Sequence, residues 1–221
     1  MHRHFDEELQ QLKEKLLRMS SLVEDVINTS VKALIDRDTA LAQKAIEADK
    51  AIDMFEVEID ELSLRLLALY QPQAGDLRFI ASSMKINNDL ERIGDLGVNI
   101  AQRTLDLIKI AAFPSLTDIT EMAKAAQSML KDSLNAFVNK DSSLAEAVCK
   151  RDDVVDNLNK VVFKKVLTGK PHDAEVERAI DLILVAKNLE RIADHSTNIC
   201  EEVIYMIEGK NIKHHVFEKK D

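Results

Sequence analysis

The chain has 221 residues, of which 5 are glycine, 3 are proline and none is tryptophan. So little glycine and proline disfavours a sheet protein with many tight turns and favours long helices with short connections. The formal net charge of −9 excludes nucleic acid as the main partner, because phosphate neutralisation needs a basic face. No apolar run approaches the ~18 residues of a transmembrane segment, and the polar, acidic N-terminus is unlike a signal peptide. We therefore expect a cytoplasmic protein.

The first half of the chain predicts three helices. Apolar residues recur every three or four positions over residues 5–37, which indicates an amphipathic helix. Asp38 is a suitable N-cap for a second helix over 39–70, which ends before Pro72. A third helix opens at Gly75 and runs towards residue 112, where Phe-Pro-Ser at 113–115 breaks it.

The second half of the chain predicts three more helices. A fourth helix begins at Ser115 or Thr117 and runs to about residue 139. Asp141 and Ser142 then cap a fifth helix that continues without a break to Leu167, where Thr-Gly-Lys-Pro stops it. The sixth covers about residues 173–209, and the lysine- and histidine-containing tail after it is expected to fray.

The two halves form an internal repeat. The segment 33–38 matches 136–141 at an offset of 103 residues, and further on the offset becomes 99. The sequence therefore predicts an all-α protein of two tandem three-helix bundles, the first over residues 1–113 and the second over 114–221.

Acidic pairs occur twice in each copy. Glu91 and Asp95 are four residues apart on the third helix, and Glu190 and Asp194 repeat them on the sixth. Residues at this spacing lie one helical turn above each other, so the two carboxylates of a pair project the same way. The second and fifth helices carry further pairs: Asp49 with Asp53, and Asp152 with Asp156.

These acids occupy the side of the third helix opposite its apolar residues. Leu90, Ile93, Leu96 and Ile100 form the core side, so we expect the carboxylates to face water. Gly94 and Gly97 fall near the apolar side and would let a neighbouring helix, with its own acids, approach closely.

Four carboxylates from two adjacent helices are suited to bind a cation. Hard oxygen ligands without thiolate favour Fe, Mn, Mg or Ca over a closed structural zinc site, although Zn stays open. The alternative is that the acids form ordinary solvated helix faces, and the metal itself is left undecided. Five further residues are candidate ligands: Glu56, Asn99, His195, Asn198 and Glu201.

The usual catalytic motifs are missing from the sequence. There is no Gly-rich phosphate loop, no G-x-S-x-G and no H-E-x-x-H. No Glu-x-x-His occurs, which disfavours the ferritin-like di-iron enzymes. Cys149 and Cys200 lie among apolar positions and are expected to be reduced, buried residues.

Several segments together resemble the PhoU family over essentially the whole chain. These segments are Phe-Asp-Glu-Glu-Leu at 5–9, Gln-Pro-x-Ala-x-Asp-Leu-Arg at 71–78, and Lys-Ile-x-x-Asp-Leu-Glu-Arg-Ile-Gly-Asp at 85–95. The second copy contributes Leu-Glu-Arg-Ile-Ala-Asp-His-x-x-Asn-Ile at 189–199.

The resemblance implies surface metal sites at the paired acids, with iron favoured. It also implies a non-enzymatic, often dimeric regulator that holds back the phosphate-starvation response. Such a regulator would work at the inner face of the membrane and link a phosphate ABC transporter to a sensor histidine kinase. A carboxylate-bridged metalloenzyme and a purely structural helical interaction module are the alternatives from other classes.

Overall fold

All regular secondary structure in the described residues is α-helical in a computed structural model, which describes residues 2–110, 117–168 and 173–212. The helices are α1 His2–Asp36, α2 Thr39–Tyr70, α3 Ala74–Lys109, α4 Thr117–Asn139, α5 Ser142–Cys149, α6 Asp152–Thr168 and α7 Asp173–Glu208. The predicted all-α tandem repeat is confirmed. The predicted boundary at 113/114, the alternative helix start at Ser115 and the tail beyond Ile212 lie outside the described residues.

The connection after the first helix of each copy has the same geometry. Arg37 and Lys140 are equivalent at the offset of 103 and have φ values of 53° and 52°. Asp38 then caps α2 by accepting hydrogen bonds from the backbone N–H groups of Ala40 at 2.8 Å and Leu41 at 3.1 Å. Asp141 caps α5 in the same way, so the predicted caps are confirmed and both copies turn alike.

The prediction of one continuous helix from 142 to 167 is wrong, because the chain breaks it into α5 and α6. The Arg151 N–H donates to the Val148 carbonyl at 2.9 Å, and the Val154 N–H donates to the Arg151 carbonyl at 3.0 Å. These hydrogen bonds join residues three apart and interrupt the α-helical pattern, in which the partners are four apart. Two adjacent acids, Asp152 and Asp153, then lie in the first turn of α6. Negative charge is favourable at a helix N-terminus, which explains why a new helix starts there.

The glycines of α3 let two helices pack against it at close range. A Cβ added at Gly94 would lie 2.9 Å from Ile52 Cδ1 of α2. A Cβ added at Gly97 would lie 2.8 Å from atoms of both Val26 and Ile27 of α1. The predicted close approach is therefore present, and it puts the acidic side of α2 next to that of α3.

The two bundles join where α3 packs antiparallel against α7. Arg78 donates to the Met206 carbonyl at 3.4 Å near one end of the pair, and Arg103 pairs with Asp181 at 3.4 Å near the other. Between these two contacts, each helix buries one side in its own bundle and a second side against the other helix. No helix in the described ranges is long and apolar enough to span a bilayer.

Candidate functional site

The first carboxylate cluster lies between α2 and α3 and comprises Asp49, Asp53, Glu56, Glu91 and Asp95. Partial burial raises the pKa of Asp49, and the charges of Asp53 and Asp95 raise it further. The pKa of Glu91 is raised first by burial and then by Asp95, Glu56 and Asp53. Acids of the two helices thus act on each other, so the structure brings both predicted pairs together, with Glu56 beside them.

The second carboxylate cluster lies between α6 and α7 and comprises Asp152, Asp156, Glu190 and Asp194. Burial raises the pKa of Asp152 to about 6, with further contributions from Asp194, Asp156, Asp153 and Glu190. Burial also raises the pKa of Asp194, and Glu190 and Asp156 add to this while Lys187 opposes it. The two clusters occupy equivalent positions in the two copies.

Both clusters face solvent at least in part, as the helix geometry predicts. Asp53, Asp95 and Asp194 are exposed, and the remaining acids are half-buried. One atom is different: Oδ1 of Asp152 is buried and has no hydrogen-bond partner. A buried, unpaired carboxylate oxygen among like charges is unfavourable, and a bound cation would satisfy it.

The clusters are not preformed metal sites. Within residues 2–110, 117–168 and 173–212, no group of three or more His, Cys, Asp or Glu side chains converges as metal ligands would. The chemistry of the donor set nevertheless fits a hard cation, since every donor in both clusters is a carboxylate. Binding would therefore require the side chains to rotate towards a common point.

Two of the additional candidate ligands serve the contact between the bundles instead. His195 is 8% exposed, and its Nδ1 lies 2.8 Å from Asp89 Oδ1 in α3. Asn198 donates to the same oxygen at 3.3 Å. Glu201 lies near Cys149, whose pKa it acts on, and Asn99 is exposed.

The sequence gives no sign of the polar contacts between α3 and α7. Glu202 is 1% exposed, and its carboxylate accepts from Lys85 at 3.2 Å and from Ser82 at 3.4 Å. The partners are more than 100 residues apart in the chain, so no local spacing reveals them. Together with Asp89 and His195, these residues fix the register of the two bundles.

A cleft of about 500 Å³ lies at another junction of the two bundles. Lys13 and Lys140 line it, together with Phe79 and Met206. None of its lining residues belongs to either carboxylate cluster. The carboxylate clusters therefore lie outside this cleft.

The fold and the doubled acidic clusters define a class of tandem three-helix-bundle proteins, and sequence comparison identifies it. The PhoU domain family matches residues 16–104 and, a second time, residues 119–203. The chain belongs to the PhoU family.

Relatives match the chain over nearly its full length. It is 38% identical over 217 residues to the phosphate-specific transport system accessory protein PhoU homolog 1 of Thermotoga maritima, covering 96% of this chain and 92% of that protein. It is 40% identical over 210 residues to the PhoU homolog of Clostridium acetobutylicum, covering 94% and 96%.

Solved structures share the fold as well. The crystal structure of PhoU from Pseudomonas aeruginosa superposes with a TM-score of 0.90 at 38% identity, covering 93% of this chain and 100% of that one. The phosphate transport system regulatory protein PhoU from Streptococcus pneumoniae gives 0.86 at 32% identity, covering 94% and 98%.

Proposed function

We propose that this protein is a non-enzymatic regulator of phosphate uptake that acts with a phosphate-specific transport system at the cytoplasmic face of the membrane. The observation that carries the proposal is the match of both repeats, over nearly the full chain, to relatives named as accessory proteins of that system. The surface position of the carboxylate clusters, away from the cleft, also favours binding over catalysis.

A more specific role follows from the same proposal. When phosphate is abundant, the protein holds back the phosphate-starvation response by linking the phosphate ABC transporter to a sensor histidine kinase. It acts by contact, as a homodimer, and needs no chemical reaction of its own.

Each carboxylate cluster, in this proposal, binds a hard metal cation, with iron favoured over Mn, Mg, Ca or Zn. The ligands are Asp49, Asp53, Glu91 and Asp95 in the first cluster, and Asp152, Asp156, Glu190 and Asp194 in the second. A bound cation would supply the positive charge that the acids lack and would hold α2 to α3 and α6 to α7. The raised pKa values of Asp49, Glu91, Asp152 and Asp194 support this, because burial first and neighbouring acids second disfavour their charged forms, and a bound cation would favour those forms.

A gene deletion tests the regulatory role. In high phosphate, the deletion strain should express phosphate-starvation genes, and the wild-type protein should silence them again. The function fails if phosphate uptake and phosphate-responsive expression are unchanged by the deletion.

A pair of double variants separates the metal from the regulation. Asp53→Ala with Asp156→Ala removes one acid from each cluster, whereas Glu61→Ala with Glu146→Ala removes two exposed acids elsewhere. Elemental analysis of purified protein should find bound metal in the wild type and the control, and a marked loss in the cluster variant. Equal metal content in all three proteins would refute the metal sites and leave the regulatory role to be decided by the deletion strain.

A further inference from the structure

The only two cysteines of the chain lie against each other in the second bundle. Cys149 is the last residue of α5, and Cys200 lies on α7. Both are free thiols, and Cys149 packs against the core cluster that contains Cys200. Their side chains lie close enough for each thiol to shift the pKa of the other. Cys200 is fully buried and Cys149 is half-buried, so Cys149 is the more accessible of the two thiols.

The internal repeat provides independent support for this contact. In the first copy, Ile46 is equivalent to Cys149 at the offset of 103, and Ala101 is equivalent to Cys200 at the offset of 99. Ala101 belongs to a small apolar cluster of the first bundle, and Ile46 packs against the same cluster. The fold therefore places these two positions in one apolar cluster of the first copy, and only the second copy has sulfur at both.

We propose that Cys149 and Cys200 are a reversible dithiol–disulfide site that ties the end of α5 to α7. The co-reactant is a hydroperoxide. The more accessible Cys149 sulfur attacks the peroxide, the O–O bond breaks, and Cys149 becomes a sulfenic acid while the other oxygen leaves as water or alcohol. The Cys200 sulfur then displaces water to form the S–S bond, so two thiols lose two protons and two electrons.

The local backbone suits a covalent tie at this point. The helix ends at Cys149, and the break at Lys150 and Arg151 follows immediately, so Cys149 is not held inside a continuous helix. Small adjustments that bring the two sulfurs to bonding distance are therefore less restricted than in the first copy, where α2 continues through Ile46.

Oxidation would act on the second carboxylate cluster alone. Asp152 comes three residues after Cys149 and opens α6, and Asp194 precedes Cys200 by six residues on α7. A tie between α5 and α7 constrains where Asp152 lies relative to Glu190 and Asp194. This consequence rests on the proposed metal site, whereas the disulfide itself does not.

Thiol counting tests the disulfide. Reduced protein is exposed to hydrogen peroxide, denatured and alkylated, and its peptides are mapped without reduction. The wild type should lose both alkylatable thiols, give a Cys149–Cys200 linked peptide within one chain, and recover both thiols with dithiothreitol. Retention of both thiols, or cross-links only between chains, would overturn the proposal.

Single substitutions test which cysteine attacks the peroxide and which one then forms the disulfide. Cys200→Ser, or Cys200→Ala if the serine variant does not fold, should leave Cys149 as a sulfenic acid that a dimedone probe labels. Cys149→Ser should protect Cys200, which is buried, from the same exposure. If Cys149 is not labelled in either Cys200 variant, it is not the attacking thiol and the proposed reaction is wrong.

Mn²⁺ titration tests the consequence, with the first cluster as an internal control. Asp53→Ala leaves the second cluster intact, and Asp156→Ala leaves the first. In Asp53→Ala, oxidation should change the Mn²⁺ affinity by about tenfold, which is the size of effect that residues around a metal site have on metal binding. In Asp156→Ala, oxidation should leave the Mn²⁺ affinity unchanged. If a disulfide forms and neither variant binds Mn²⁺, the proposed metal site fails and the disulfide stands. If Mn²⁺ binds and no disulfide forms, the metal site stands and the disulfide fails.

Discussion

Replacing Asp152 by Asn should stabilise the metal-free protein at neutral pH. Burial and the surrounding acids raise the pKa of this carboxyl from its ordinary value of 3.8 to about 6. The folded protein therefore holds the proton more tightly than the unfolded chain does. The resulting stabilisation is fully present below pH 3.8 and is lost as the pH rises through about 6. At a pH of about 7.5 the wild type carries an unfavourable charge that Asn removes.

The size of the effect follows from the same pKa. A rise from 3.8 to about 6 corresponds to about 3 kcal/mol, at about 1.4 kcal/mol per pH unit. Asp152 is only half-buried, so water screens part of this, and about 1–2 kcal/mol remains. Asn also loses the attraction of a carboxylate for the N-terminus of α6, about 0.3–1 kcal/mol. The expected net gain for Asp152→Asn is therefore about 1 kcal/mol.

Urea denaturation in the presence of a chelator measures this gain at two pH values. At pH 7.5, Asp152→Asn should unfold at higher urea than the wild type, and below pH 3.8 the difference should vanish. Asp153→Asn removes the same charge from the next, exposed residue and should shift stability by less than about 0.5 kcal/mol. A variant that is less stable than the wild type at pH 7.5, or a difference independent of pH, would refute the reasoning.

Two further predictions concern packing and the contact between the bundles. Gly97→Ala should lower the free energy of unfolding by about 1–2 kcal/mol. The new methyl overlaps Val26 and Ile27, and this overlap costs more than the better helix propensity of alanine contributes. Gly75→Ala, with nothing within 4 Å of the new methyl, should be neutral or stabilising, and equal urea midpoints for the two variants would contradict the packing. Lys85→Met should cost about 2–3 kcal/mol by removing a cation from the buried Glu202 carboxylate. Lys210→Met at an exposed pair should cost less than about 0.5 kcal/mol, and a similar loss in both variants would refute a special role for the cation beside the buried Glu202 carboxylate.

The spacing of residues along the sequence is sufficient to predict most helices and to predict that the acids of the clusters face solvent. Asp38 and Asp141 cap the helices that follow them, as their residue types predict. Leu90 and Ile93 are fully buried while Asp95 is exposed, as expected from a helix with one apolar side. These features depend on residues within a few turns of each other, so the sequence contains the required information.

The features that local spacing does not predict depend on more distant contacts. The sequence places His195 near a helix face beside the second cluster, yet it is buried against Asp89 of the other bundle. Its environment depends on how two finished bundles pack, and no periodicity within either bundle specifies that. The break after Cys149 escapes prediction for a different reason: apolar periodicity continues across it, and only the adjacent acids Asp152 and Asp153 indicate a helix start.

That break makes the two copies unequal despite their shared pattern. Asp49 lies inside a continuous helix, whereas Asp152 lies at the positive end of its own helix, directly after the interruption. If both clusters bind metal as proposed, their affinities should differ, and a difference of about 1.4 kcal/mol would separate their half-saturation points tenfold. A duplicated domain with one interrupted helix would then sense a broader span of ion concentrations than two identical copies could.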